Sequence, residues 1–364
     1  MIPQDLRTEL SGIVQGTVAT LRRATRNAAH LIFDGNISAH RTPHEVVDDG
    51  EMYQLRRYRE DPADGPVVLM VPPLMVTPEV YDIAPRLSAV EFLSRSCDPW
   101  VVDFGVPEDI PGGHTRDLAD HIRAVDDAIT SVSARTDREV HLAGYSQGGL
   151  FCYQAAALRD CQHIGSVITF GSPVDLHQNL PAVTDRDAAR RVFETLRAGL
   201  DVPLEEFGRL PSWLTSRGFK LLNPLKEIAY RTSLLMHLHD TETLKARAPK
   251  RRFLDGEGFV DWPGPALRDF LKIVLEENRM ADGGFSVGDR RVSLDRIDCP
   301  VLYFAGKTDD FARRPAVSAI ESLAPRATVR GIDVDTGHFG LVVGSTSMNQ
   351  VWPRVAQWLR ERRG

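Results

Sequence analysis

The sequence predicts an α/β protein, with a mainly parallel sheet covered by helices on both faces and interrupted once by a helical insertion. Three observations predict it: short apolar runs alternate with helical patterns from Gln54 to about Val174, the rhythm stops from about Asp175 to Asp298, and it returns at Pro300. Parallel strands need crossover connections, which lay helices over both faces of the sheet. The expected layout is an N-terminal helical segment over 1–50, a first core part over 51–175, a helical cap over 176–298 and a second core part over 299–364.

The elements follow in order. Leu6, Leu10, Ile13, Val14, Val18 and Leu21 recur at helical spacing ahead of Arg22, Arg23 and Arg26, so one amphipathic helix is expected from Leu6 to about Phe33. Such a helix docks on the domain or a partner, or lies on a lipid surface, and the pattern leaves both open. Val67-Val68-Leu69-Met70-Val71 reads as a buried strand ended by Pro72-Pro73, and Trp100 to Phe104 as another. Leu118, Ile122, Val125 and Ile129 give Thr115 to Arg135 a helical period. A strand over Val140-His141-Leu142-Ala143 then meets the turn Gly144 to Gly149, a helix from about Leu150 to Leu158, and the strand Ser166 to Phe170, closed by Gly171-Ser172-Pro173. Within the insertion, Ala188 to Leu200 and Ala266 to Glu277 look helical. Trp213, Leu214, Phe219, Leu221, Leu222, Leu234, Leu235 and Met236 suit a cap core or the lining of an acyl tunnel equally well. Strands at Pro300 to Phe304 and Ala327 to Ile332 and a helix from about Val351 to Arg360 complete the chain.

Composition narrows the function. The 364 residues are 42% hydrophobic and 26% charged, enough to bury a sizeable core, so disorder as the main state is excluded. A formal charge of -6, with Lys and Arg scattered among acids, offers no basic surface and sets nucleic acid aside as a partner. Cys97, Cys152, Cys161 and Cys299 are far apart in sequence and form no CxxC pair, so reduced thiols are expected rather than zinc or redox centres. The start of the chain lacks the basic and apolar regions of a secretory signal, and no stretch approaches a membrane span, so a cytoplasmic protein is expected.

Gly144-Tyr145-Ser146-Gln147-Gly148-Gly149 is a G-x-S-x-G sequence lying directly between a strand and a helix. A serine on so tight a turn needs small neighbours, which Gly144 and Gly148 supply, and the turn lifts its hydroxyl above the sheet. The helix N-terminus aims free N–H groups at developing negative charge, making Gln147 N–H one expected oxyanion donor. A serine hydroxyl needs a base, and His338, in the glycine-flanked loop Asp335 to Gly340, is better placed than His141 in its strand or His237 and His239 in the cap. Lys307-Thr308-Asp309-Asp310 offers the orienting acid: Asp309 completes a Gly-x-x-Asp turn, and Asp310 is the reserve. The chain order Ser146, Asp309, His338 is that of the α/β-hydrolase fold. The turn after the early strand adds Leu74 N–H or Met75 N–H as a second oxyanion donor, since Pro72 and Pro73 have no N–H.

These residues also resemble the polyhydroxyalkanoate synthase family and its hydrolase-like relatives. The likeness runs through Val71-Pro72-Pro73-Leu74, Val102-Asp103-Phe104-Gly105-Val106-Pro107, Ala143 to Gly149, Trp262-Pro263-Gly264-Pro265, Glu277-Asn278, Val292 to Pro300, Gly306 to Asp309 and Thr336 to Gly340. It covers Gln54 to the C-terminus and is weakest in the cap. The resemblance implies a hydrolase core with a helical cap, and acyl-CoA thioesters or hydroxyacyl polyesters as the substrate class. The sequence departs from the family at two places: polyester synthases carry cysteine where this chain has Ser146, and histidine usually follows the catalytic aspartate where this chain has Asp310.

Because a serine ester is usually released to water, the expected activity is a serine hydrolase of lipid-like carboxylic esters, acyl thioesters included, with an acyl-enzyme on Ser146. No metal or organic cofactor is required. The alternatives are an acyltransferase or polyester synthase-like enzyme using acyl-CoA, and a non-catalytic scaffold on lipid or storage-granule surfaces. The sequence leaves a homodimer open.

Overall fold

In the computed structural model, which describes residues 42–59, 65–180, 185–221, 240 and 248–362, the apolar runs form one sheet. Its strands are drawn from β1 (Glu45–Asp49), β2 (Gln54–Arg57), β3 (Val67–Val71), β4 (Asp98–Asp103), β5 (Val140–Tyr145), β6 (Ile164–Phe170), β11 (Val301–Gly306) and β12 (Val329–Val334). The order is β1-β2-β4-β3-β5-β6-β11-β12. From β4 to β12 every neighbouring pair is parallel, whereas β1 and β2 join antiparallel at one edge. All five residues of β3 are buried, as a strand with helices on both faces requires.

The helices are cut by local chemistry. Leu118–Thr136 opens on a capping box, with Asp117 accepting from Asp120 N–H and Asp120 accepting from Asp117 N–H, and it ends at Asp137 in the left-handed region. Its face Leu118, Ile122, Val125, Ile129 and Val132 is buried in the core. Gln147–Leu158, which follows the G-x-S-x-G turn, is buried along its whole length. Trp352–Arg360 closes the chain and buries Trp352, Val355, Ala356, Trp358 and Leu359.

Several features were not expected from sequence. The β1–β2 hairpin and the short helix Ala89–Ser94, capped by the Ser88 hydroxyl on Glu91 N–H, have no clear apolar period. In the stretch read as mostly helical, β7 (Arg209–Leu210) pairs with β8 (Trp262–Pro263), and β9 (Phe285–Val287) pairs with β10 (Arg290–Val292). That stretch does contain the long helix Arg186–Phe207 and the helix Ser212–Leu221. The helix expected from Leu6 to Phe33 lies outside the described residues, as do Leu222, Leu234, Leu235, Met236, His237, His239 and the side chains of Phe219 and Leu221. Among the described residues no helix is long and apolar enough to cross a membrane.

Candidate active site

The C-terminal ends of β3, β5, β11 and β12 deliver the residues singled out above to one place. Ser146 follows β5 directly and adopts φ 53° and ψ -120°, a strained conformation for a residue with a side chain. Its N–H donates to Phe170 O at 2.9 Å, and its own carbonyl accepts from Gly149 N–H at 3.0 Å, so both sides of the turn are fixed. Gly144 and Gly148 are required by contact: a Cβ on Gly148 would lie 2.0 Å from Val71 O, and one on Gly144 2.4 Å from Gly149 Cα. The Ser146 turn thus presses against the end of β3, just ahead of Leu74 and Met75.

His338 Nε2 lies 2.9 Å from Ser146 Oγ, and His338 Nδ1 lies 2.7 Å from Asp309 Oδ2. Asp309 is the aspartate hydrogen-bonded to the histidine, and its other oxygen accepts from Phe311 N–H and Ala312 N–H at 2.9 and 2.8 Å. Asp310 is exposed. Those two amide bonds fix the carboxylate before it meets the imidazole. The ring of His338 is enclosed by Tyr145, Phe311 and Phe339, with centroids 5.0, 5.4 and 6.3 Å away. Asp309 and His338 are both buried, which strengthens the interaction between them. His141, set aside in the sequence, is buried in β5 with Nδ1 at 2.8 Å from Ser166 Oγ.

The expected oxyanion residues are differently engaged. Leu74 N–H donates to Gln147 Oε1 at 3.1 Å, so this amide is already used to tie the early turn to the Ser146 turn. Gln147 therefore contributes through its side chain as well as through its place at the helix N-terminus. Sequence reasoning missed a second tie: Tyr81 donates its hydroxyl to Val71 O at 2.8 Å and accepts from Tyr145 N–H at 3.1 Å. Burial raises the Tyr81 phenol well above its ordinary pKa, so the hydroxyl stays protonated and able to donate. Gly171 was missed too. Its φ is 57°, and a Cβ there would lie 3.1 Å from both Asp309 Oδ2 and His338 Nδ1. No local pattern signals either residue, because each acts on groups distant in sequence.

Two cavities flank this assembly, and Ser146 lines neither. One, of about 340 Å³, is bordered by Leu74, Phe104, Val106, Phe253 and Val260 with Arg56 at its wall. The other, of about 650 Å³, reaches Asp309 between His177, Ala189 and Arg313.

No protein-family model matches the chain. Among curated proteins it is 27% identical over 334 residues to the poly(3-hydroxyalkanoate) polymerase subunit PhaC of Haloferax mediterranei, covering 90% of this chain and 65% of that one. To the protein of the same name from Allochromatium vinosum it is 24% identical over the full length of both. Among solved structures, a monoacylglycerol lipase from Paleococcus ferrophilus superposes with a TM-score of 0.53 at 16% identity, over 85% of this chain and 99% of that one. The chain is an α/β-hydrolase-fold enzyme similar to polyhydroxyalkanoate synthases. The chain spans just under two thirds of the Haloferax relative.

These relatives overturn the expectation of a lipid-ester hydrolase. Five curated proteins, each matching 88% or more of this chain, all bear the polymerase name. The identity of the attacking atom does not by itself decide between water and another acceptor. A serine ester and a cysteine thioester are both acyl donors, and the outcome depends on which hydroxyl reaches the carbonyl and whether water is kept out.

Proposed function

We propose that this chain is an acyltransferase of the polyester-synthase kind, taking an acyl group from an acyl-CoA thioester onto Ser146 and passing it to a hydroxyl acceptor. The observation that carries the proposal is the shared polymerase name of relatives matching 88–100% of the chain. The line from Ser146 through His338 to Asp309 supports the chemistry.

In this reading, Ser146 Oγ attacks the thioester carbonyl while His338 Nε2 takes its proton and Asp309 keeps the other ring nitrogen protonated. Gln147 N–H and Met75 N–H receive the oxyanion, a contribution of about 3 kcal/mol per donor. The imidazolium then protonates the departing CoA thiolate. An acceptor hydroxyl gives its proton to His338, attacks the serine ester and restores Ser146. The free energy of the thioester is released in the first half-reaction, so the second is an exchange of one ester for another. Product therefore depends on an acceptor occupying the place water would take.

The test supplies purified protein with 3-hydroxybutyryl-CoA and a hydroxylated acceptor, following released thiol and analysing products by mass spectrometry. Thiol release with ester or oligoester product is expected, and Ser146→Ala should reduce it on the order of 10³-fold or more while leaving the circular-dichroism spectrum unchanged. Free hydroxy acid as the sole product, or an active Ser146→Ala protein, would overturn the proposal.

A further inference from the structure

Cys161 and Cys299 are 138 positions apart in sequence, yet their sulfurs stand 3.1 Å apart. The sheet brings this about. β6 and β11 are adjacent parallel strands, Cys161 lies just before the first, and Cys299 lies just before the second. Both backbones are held. Cys161 N–H donates to Ala156 O, its carbonyl accepts from Ile164 N–H, and Pro300 O, next to Cys299, accepts from Val167 N–H. Cys161 occupies a left-handed turn, φ 54°, that directs the chain from the nucleophile helix into β6. Cys161 is 9% exposed and Cys299 7%, a slight opening to solvent, while Cys97 and Cys152 are sealed in the core at 0%. A covalent bond between two sulfurs measures ~2.05 Å, so closure of roughly 1 Å would join them.

We propose that Cys161 and Cys299 form a reversible disulfide when the protein meets a small-molecule disulfide oxidant, pinning together the entries to β6 and β11. The Cys161 thiolate attacks the oxidant, breaking its S–S bond, forming a mixed disulfide and expelling one thiolate. Cys299 loses its proton to solvent and attacks the Cys161 sulfur, which forms the protein disulfide and releases the second thiolate. Two protein thiols are oxidised, and one disulfide of the oxidant is reduced to two thiols. The assignment of Cys161 as attacker agrees with its surroundings: the neighbouring Cys299 thiol and the backbone N–H groups of Cys299 and Asp298 favour its ionised form, whereas Cys299 is held protonated beside it.

The cross-link would close a loop holding β6 and the whole insertion. It lies at the end of the sheet opposite Ser146, Asp309 and His338, which follow the C-terminal ends of their strands. Stability should change and the catalytic geometry should not.

The experiment incubates the full chain with oxidised glutathione, or with dithiothreitol as control, then denatures, alkylates with iodoacetamide and weighs it. Oxidised protein should carry two fewer alkyl groups, yield a non-reduced peptide linking Cys161 to Cys299, and melt roughly 3–8 °C higher than the reduced form. Dithiothreitol should reverse all three changes, and Cys161→Ser or Cys299→Ser should abolish them. Cys97→Ser should leave them intact. Four alkylated cysteines after oxidation, a lasting glutathione adduct that Cys299 does not displace, or a link involving Cys97 or Cys152 would overturn the proposal. Because the readouts are mass and melting temperature, they stand independently of which reaction Ser146 performs.

Discussion

Gly171 shows how much of the site depends on an atom that is missing. Its backbone is left-handed, and the position a Cβ would take lies 3.0 Å from Leu341 Cδ1 and 3.1 Å from the two atoms that join Asp309 to His338. A methyl group would have to press on the Leu341 side chain, the Asp309 carboxylate or the His338 imidazole, and small misplacements of groups that transfer protons are costly to rate. If the chain performs the proposed acyl transfer, Gly171→Ala should lower its kcat about tenfold with KM nearly unchanged, and should cost about 1 kcal/mol of stability from the backbone conformation. Steady-state kinetics beside a thermal melt would check this, and an unaltered kcat would show that the Asp309–His338 contact tolerates the methyl group. Ser146 was legible because its turn chemistry is written in consecutive residues, and His338 because a glycine-flanked histidine followed the last strand. The choice of Asp309 over Asp310 was only a turn preference until the bond to His338 distinguished them. Gly171 and Tyr81 were illegible for the opposite reason, since their partners come from other segments of the chain.

Among the elements, the central strands were readable because full burial on both faces turns them into unbroken apolar runs. The edge was not. β1 and β2 read Glu45-Val46-Val47-Asp48-Asp49 and Gln54-Leu55-Arg56-Arg57, half-exposed segments whose charges mask the strand. Besides its backbone ladder to β4, this edge is tied to the core by a charge pair: Arg57 Nε and Nη2 donate to the two oxygens of Asp98 at 3.0 and 2.8 Å, with Arg138 Nη2 farther off at 3.7 Å, and Asp98 is fully buried at the start of β4. Such a pair adds little over well-packed apolar residues, but removing one partner strands a buried charge. Arg57→Met, which takes the nearer guanidinium away from the buried carboxylate, should accordingly lower the unfolding free energy by about 3 kcal/mol, whereas the double variant Arg57→Met with Asp98→Leu should recover most of the loss. Urea unfolding followed by tryptophan fluorescence would decide, because Trp100 lies beside the pair with the Arg57 guanidinium 5.1 Å from its ring. Equal losses in the single and double variants would mean that shape, not charge, holds the edge.

For the molecule as a whole, the order of strands and helices announced the architecture, while the stretch between β6 and β11 was legible only as a break in rhythm. Its two small sheets pair strands of two or three residues, too short to give any period. The whole fold also carries a pH dependence that the sequence could not reveal, since it arises from where two histidines are buried. His121, with Nδ1 2.7 Å from Asp117 O and its ring against Phe104 and Phe151, is pushed down to about 4 by burial. His141, beneath Ser166, is likewise lowered to about 4 by burial, aided by the Arg362 charge. In the unfolded chain each binds a proton near pH 6.5, so the unfolded state holds more protons throughout the interval between about 6.5 and 4. The stabilisation is therefore complete above pH 6.5 and is lost as pH falls through 4. Between pH 7 and 5, before most carboxylates titrate, the loss should reach about 2 kcal/mol per histidine. Denaturant unfolding at half-unit steps over that interval should show the decline, and His121→Leu with His141→Val should flatten it even if the baseline stability differs. A wild-type profile already flat from pH 7 to 5, or a double variant as steep as the parent, would mean that the buried imidazoles accept protons inside the fold.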